Sequence, residues 1–121
     1  MKPIKLIIKT KSETYPIIIG KGLVLNLSKI LEQNSITYNK CLLVIDKNVP
    51  KKIITKINQS MKKSENYKFF FVANEKNKNL KSVNNILNIL LGKNFTRKDC
   101  LISVGGGITG DVTGFAASIF K

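Results

Sequence analysis

The chain is expected to be an α/β fold: an N-terminal hairpin plus alternating βα units forming a mostly parallel, Rossmann-like sheet. Three observations predict this. Two short apolar runs near the N-terminus are separated by Thr10-Lys11-Ser12. Beyond them, apolar runs of strand length alternate with stretches whose apolar residues recur at helical spacing, as a parallel sheet with crossover helices requires. The last apolar run, Leu101-Ile102-Ser103-Val104, leads directly into Gly105-Gly106-Gly107-Ile108-Thr109-Gly110-Asp111.

The elements follow in order. Ile4 to Lys9 and Glu13 to Ile19 are two strands of a hairpin, and Pro16 places the second at an edge. Gly20-Lys21-Gly22 breaks the chain, and Leu23, Leu27, Ile30 and Leu31 mark an amphipathic helix ending near Gln33-Asn34. Cys41 to Ile45 is continuously apolar and ends at Asp46, the pattern of a strand buried on both faces. Pro50 opens the next helix at its first turn, with Ile53, Ile54, Ile57 and Met61 on its apolar face. Tyr67 to Val72 is a strand, Ala73 to Asn79 a polar loop, and Leu80, Val83, Ile86, Leu87, Leu90 and Leu91 a helix stripe stopped by Gly92. Cys100 to Val104 is the last strand. In the last helix Val112, Phe115, Ala116, Ile119 and Phe120 form a buried stripe, and the small Gly114, Ala117 and Ser118 allow close packing.

Length and composition bound the function. At 121 residues the chain amounts to one domain. A hydrophobic fraction of 43% is that of a globular protein, and no apolar run approaches the ~20 residues of a membrane span. The N-terminus carries no leader pattern, so a cytoplasmic location is expected. Cys41 and Cys100 start apolar runs and read as buried thiols; a disulfide or metal site needs more partners. There is no histidine, which excludes a histidine metal site, triad or general base within the chain. The formal charge of +14 raises nucleic-acid binding as one reading. Against it, 20 of the 21 basic residues are lysine, scattered along the chain and accompanied by abundant Asn and Ile. Compositional bias explains that better than base or phosphate readout, which favours arginine.

Gly105, Gly107 and Gly110 give the spacing G-x-G-x-x-G between a strand and a helix. Glycines there permit positive φ and close backbone approach, and the free N–H groups of the helix favour a phosphate; a nucleotide diphosphate is the natural ligand. The same glycines also suit a tight turn with no ligand. In open parallel sheets ligands sit beyond the C-terminal strand ends, here Asp46 to Asn48, Ala73 to Lys78, and Gly105 to Asp111. Asp46 can accept both hydroxyls of a ribose or can cap the helix after Pro50. Asn48 can assist it or make an Asx turn. Glu75 and Lys78 can be an exposed i,i+3 charge pair, and Asp111 a carboxylate favoured by the helix dipole.

The segment Gly105 to Ser118 resembles the signature of the 3-dehydroquinate synthase family, and Thr96-Arg97-Lys98-Asp99 resembles its lead-in. Asp46-x-Asn48, the spacing Glu75-x-x-Lys78-x-Leu80, and Thr14-Tyr15-Pro16-Ile17 followed by Gly20-Lys21-Gly22-Leu23 are similar to further family segments, so the resemblance runs along the whole chain. Ala73-Asn74 departs from the family's usual Asp-Gly: Asn tolerates the left-handed conformation, but position 73 offers no carboxylate. The resemblance implies an NAD site built from Asp46, Asn48, Ala73, Asn74, Glu75, Lys76, Asn77, Lys78, Gly106, Gly107, Ile108, Thr109, Gly110 and Asp111, with Glu75 on the nicotinamide-side ribose and Lys78 facing cofactor or substrate. It implies the shikimate-pathway conversion of 3-deoxy-D-arabino-heptulosonate 7-phosphate into 3-dehydroquinate and phosphate, leading to chorismate and the aromatic amino acids.

By the same resemblance the complete enzyme is a phosphate-eliminating carbon–oxygen lyase and a homodimer acting on a small sugar phosphate, with no nucleic-acid or membrane partner. Its divalent metal, zinc or cobalt, and its catalytic residues belong to a helical second domain absent from this sequence. The chain stops at Phe120-Lys121 without a C-cap, and residues 1–121 are expected to be the N-terminal NAD-binding domain of a longer protein, inactive alone. Alternatives are a related sugar-phosphate cyclase, an iron-type alcohol dehydrogenase, or a non-catalytic nucleotide-binding module.

Overall fold

The structure is a computed structural model that describes residues 2–121. It is a mixed α/β fold with two separate sheets. Strands β1 (Ile4–Lys9) and β2 (Thr14–Ile19) pair antiparallel, with Ile4 opposite Ile19 and Lys9 opposite Thr14. Thr10 N–H donates to the Glu13 carbonyl at 2.7 Å, and the Thr10 hydroxyl accepts from Glu13 N–H at 3.0 Å, closing the turn. This turn takes Glu13 out of the second strand. Both strands are edges, which accommodates Pro16.

A 3₁₀ turn, Leu23–Asn26, leads into α1 (Leu27–Gln33). Then come β3 (Lys40–Asp46), α2 (Lys51–Ser60), β4 (Glu65–Phe71), α3 (Leu80–Gly92), β5 (Cys100–Val104) and α4 (Gly107–Ile119). The three later strands form a parallel sheet in the order β4-β3-β5. Alternation places Leu42 and Val44 on one face of β3, against Val83, Ile86, Leu90, Val112 and Ala116 of α3 and α4. Cys41, Leu43 and Ile45 lie on the other, against Ile57 of α2 and Met61, with Leu27 and Leu31 of α1 at the margin. The central strand is thus sealed on both sides. Strand β4 is covered on one: Phe71 is buried, whereas Phe70 is 45% exposed.

Three expectations are corrected. Pro50 stands just before α2 rather than in its first turn; its ψ of 142° is extended, and its carbonyl accepts from Ile53 N–H at 3.0 Å. Met61 is the C-cap of α2, yet fully buried. The buried face of α4 is Thr109, Val112, Thr113 and Ala116, while Phe115 and Ile119 are about half exposed. At about 100° per residue those two fall on the flank of the face that meets the sheet.

One carboxylate ties the lower end of the sheet together. Asp99 accepts from Thr96 N–H at 2.9 Å and from Lys40 N–H at 3.0 Å, joining the turn before β5 to the start of β3. The Lys40 ammonium donates to the carbonyls of Lys93 and Asn94 past the end of α3. Hydrogen bonding from the Thr96 backbone, helped by Lys40, holds the Asp99 carboxyl below its ordinary range. A carboxyl lowered on folding contributes stability above its unfolded pKa of about 3.9 and loses it as pH falls through the folded value. Asp99→Asn is therefore expected to lower the melting temperature at pH ~6, with the gap to wild type narrowing below pH ~4 as the native carboxyl protonates. A gap independent of pH in melts across that range would contradict this role.

Candidate functional site

The C-terminal ends of all three parallel strands lie along one edge of the sheet. At β3, the Asp46 carboxylate accepts Asn48 N–H at 3.1 Å, and the Asp46 carbonyl accepts Val49 N–H at 3.0 Å. This is an Asx turn; the helix-capping alternative fails because the N-cap position of α2 is Pro50. One Asp46 oxygen holds the turn, and the other has no hydrogen-bond partner among the described residues. Asn48 is exposed beside it.

At β5, Gly105 and Gly106 form the bend and α4 begins at Gly107. Gly105 alone of the motif glycines has positive φ, at +149°. A Cβ there would stand 3.0 Å from the Asp46 Cβ and 3.0 Å from Thr109 Oγ1. The glycine thus lets the β5 turn close onto the end of β3. Gly106, Gly107 and Gly110 differ: a Cβ on any of them would meet no protein atom within 4 Å. Their missing side chains leave open space rather than permit a backbone conformation. The first bond into the helix is Gly110 N–H to the Gly106 carbonyl, at 3.1 Å. The N-cap Gly106 offers no side-chain acceptor, so the amides of Gly107, Ile108 and Thr109 precede the helical ladder and lack a capping group.

At β4, Ala73 packs against the core and the loop turns through a 3₁₀ segment, Glu75–Asn77. Asn74 is extended at φ −148°, so no left-handed residue is needed in place of the family's glycine; its side chain accepts Asn77 N–H instead. Asn77 anchors the loop to the Val72 carbonyl at 2.9 Å, and Asn79 caps α3 through Ser82 N–H at 2.9 Å. Lys76 is exposed on the outside of the turn.

Lys78 does not form its ion pair with Glu75. Its ammonium lies 3.1 Å from the Asp111 carboxylate, linking the β4 loop to α4 across the mouth. Asp111, with Glu75 contributing, raises the Lys78 pKa above its usual value. Because α4 starts inside the glycine motif, Asp111 lies beyond the first turn, and its partner is a lysine rather than the helix end. Lys78, Asn79, Leu80, Val83, Asp111, Val112 and Phe115 line an open cavity of about 420 Å³. A larger hollow of about 480 Å³, bounded by Phe95, Arg97, Ser118 and Phe120, lies at the opposite end of the sheet and touches none of these residues.

Behind the glycine turn, the side-chain oxygens of Thr109 and Thr113 are buried without a hydrogen-bond partner among the described residues. Thr113 was not singled out from the sequence. The spacing of two threonines at i and i+4 within the apolar stripe was the available signal.

A protein-family model described as 3-dehydroquinate synthase N-terminal matches residues 68–121. A 3-dehydroquinate synthase of Pelagibacter ubique (strain HTCC1062) is 57% identical over 98% of this chain and 32% of its own length. One of Alkaliphilus metalliredigens (strain QYMF) is 38% identical over 96% of this chain and 32% of its own. The chain therefore spans about a third of the length of the curated relatives it matches. Among solved structures, 2-deoxy-scyllo-inosose synthase superposes with a TM-score of 0.83 at 20% identity, over 96% of this chain and 33% of that one. A second structure of that synthase, complexed with carbaglucose-6-phosphate, NAD+ and Co2+, superposes with the same score. These structures share the fold.

The two kinds of glycine in the motif are expected to respond differently to a methyl group. Gly105→Ala should lose stability on the order of 1–3 kcal/mol, through backbone strain and the tight contact with Asp46 and Thr109. Gly107→Ala should lose none. Urea denaturation of the two variants beside wild type checks this, and equal effects would contradict the geometry.

Proposed function

We propose that the chain is the N-terminal part of a member of the 3-dehydroquinate synthase family, as the match of residues 68–121 and the 57% identity to the Pelagibacter relative support, and that residues 1–121 are the NAD-holding domain of an enzyme that converts 3-deoxy-D-arabino-heptulosonate 7-phosphate into 3-dehydroquinate and phosphate. The observation that carries this reading is the meeting of three strand ends. The Asp46 turn abuts Gly105, and the β4 loop reaches α4 through Lys78 and Asp111.

The residues present fit the cofactor. The cradle over Gly106, Gly107 and Gly110 is space that a Cβ would enter without meeting protein, and uncapped helix amides face an anion well. In this reading the amides of Gly107 and Ile108 bind the pyrophosphate, while Thr109 is wholly buried behind them. Asp46 accepts from ribose hydroxyls, with Asn48 beside it, and Glu75 holds the second ribose. Lys78 supplies positive charge toward the sugar phosphate. The loop Ala73 to Lys78 orients the nicotinamide and excludes water from one side. NAD, when bound, supplies a reversible hydride acceptor. The solved synthase complexed with NAD+ and Co2+ supports the cofactor assignment.

The metal is a different matter. Among the described residues no three of His, Cys, Asp and Glu gather, so the residues of this chain do not fit a divalent ion. The complete enzyme is, in the same reading, a cytoplasmic homodimer. No helix among the described residues is long and apolar enough to cross a membrane.

The test is a chimera in which residues 1–121 replace the matching segment of the Pelagibacter relative. It should release phosphate from the heptulosonate phosphate in an NAD-dependent manner, whereas residues 1–121 alone should show no turnover. Asp46→Asn keeps an acceptor for Asn48 N–H but removes the charge, and should weaken NAD by about 1.5–3 kcal/mol in calorimetry. Gly107→Val should abolish NAD binding with the fold intact. Normal NAD affinity in both variants would overturn the assignment, and turnover by residues 1–121 alone would overturn the division of labour.

A further inference from the structure

Outside the nucleotide site, two nucleophilic groups stand side by side. Cys41 and Cys100 are register partners on the adjacent parallel strands β3 and β5, and both are free. Both belong to the face packed toward α1 and α2, so their side chains share one side of the sheet. Adjacent strands lie about 4.8 Å apart, within the Cα separation a disulfide spans but below its most common value. Cys41 is wholly buried in the central strand, whereas Cys100 is only partly buried on β5. One thiol is therefore reachable, and the other is placed to act only through it.

We propose that Cys41 and Cys100 form a redox-active dithiol that closes to an intramolecular disulfide by exchange with a low-molecular-weight disulfide. The Cys100 thiolate attacks one sulfur of the small disulfide; its S–S bond breaks, a Cys100 mixed disulfide forms, and one small thiolate departs. The Cys41 sulfur then attacks the Cys100 sulfur, the mixed bond breaks, and the second small thiolate leaves with the Cys41 proton. Two cysteine thiols are oxidised and one small disulfide is reduced to two thiols. The order of attack agrees with the electrostatics. Hydrogen bonding from Cys41 lowers Cys100, although burial and Asp99 oppose it, while Cys100 and burial push Cys41 far up. The more readily ionised thiol is the accessible one, as the attacking group must be. The closed form ties β3 to β5 at the end of the sheet opposite Asp46 and Gly105.

The experiment exposes the folded chain to glutathione disulfide at mildly alkaline pH and follows intact mass and the tryptic map. Wild type should lose two hydrogens, carry no glutathione, yield a linked Cys41–Cys100 peptide, and revert with dithiothreitol. Cys41→Ala and Cys41→Ser should each retain one glutathione, and Cys100→Ala should take up none. Circular dichroism shows which variants keep the fold, and the wild-type peptide map stands without them. Stable glutathionylation of wild type, a disulfide-linked dimer, or no reaction would each overturn the proposal.

Discussion

At Gly105 the end of β5 comes so close to the end of β3 that a single methyl group would be pressed against Asp46 Cβ and Thr109 Oγ1, both at 3.0 Å. This approach rests on the burial of β3. Leu42 and Val44 are held by α3 and α4, and Leu43 and Ile45 by the α2 side, so the strand cannot shift toward either face without opening a core. With β3 fixed and β5 paired to it in register from Cys41–Cys100 to Ile45–Val104, the glycine turn has one place to go. Asp46 and the first amides of α4 become neighbours by packing rather than by any direct bond between them.

The third wall of the site is held differently. The β4 loop is anchored locally by Asn74, Asn77 and Asn79, and its link to α4 is the exposed Lys78–Asp111 pair. Exposed pairs contribute little to stability. The Lys78 pKa is raised, so whatever the pair contributes is present at neutral pH and lost only as pH rises through the lysine range. Such a loop has a defined resting position and little energy keeping it there, which suits one wall of the proposed nucleotide site.

Much of this architecture was legible because it follows from periodicity. The unbroken run Cys41 to Ile45 announced a strand buried on both faces, and the Leu80 to Leu91 stripe announced α3, with Gly92 as its last residue, although Leu80 and Leu91 at the ends of the stripe are exposed and only Val83, Ile86 and Leu90 of it are buried. The proposed site was legible as strand ends plus glycines. What the sequence concealed depends on distance across the sheet. The start of α4 at Gly107 reflects a helix that tolerates glycines once its other face is buried, and it removes Asp111 from the first turn. The Lys78–Asp111 pair joins residues far apart in the chain, while spacing favoured the local partner Glu75. The half-exposed Phe115 and Ile119 show that an apolar stripe gives the buried side only approximately, since the sheet selects the arc it covers.

In the proposed reading these three strand ends act together as one nucleotide site. Titrating NAD into isotopically labelled protein and following the backbone amides by NMR tests it most directly, and detects weak binding as well as strong. Shifts concentrated at Gly106 to Asp111, Asp46 to Asn48 and Ala73 to Lys78 are expected. An absence of shifts at saturating NAD, or shifts gathered around Arg97 and Ser118 at the opposite end of the sheet, would contradict it.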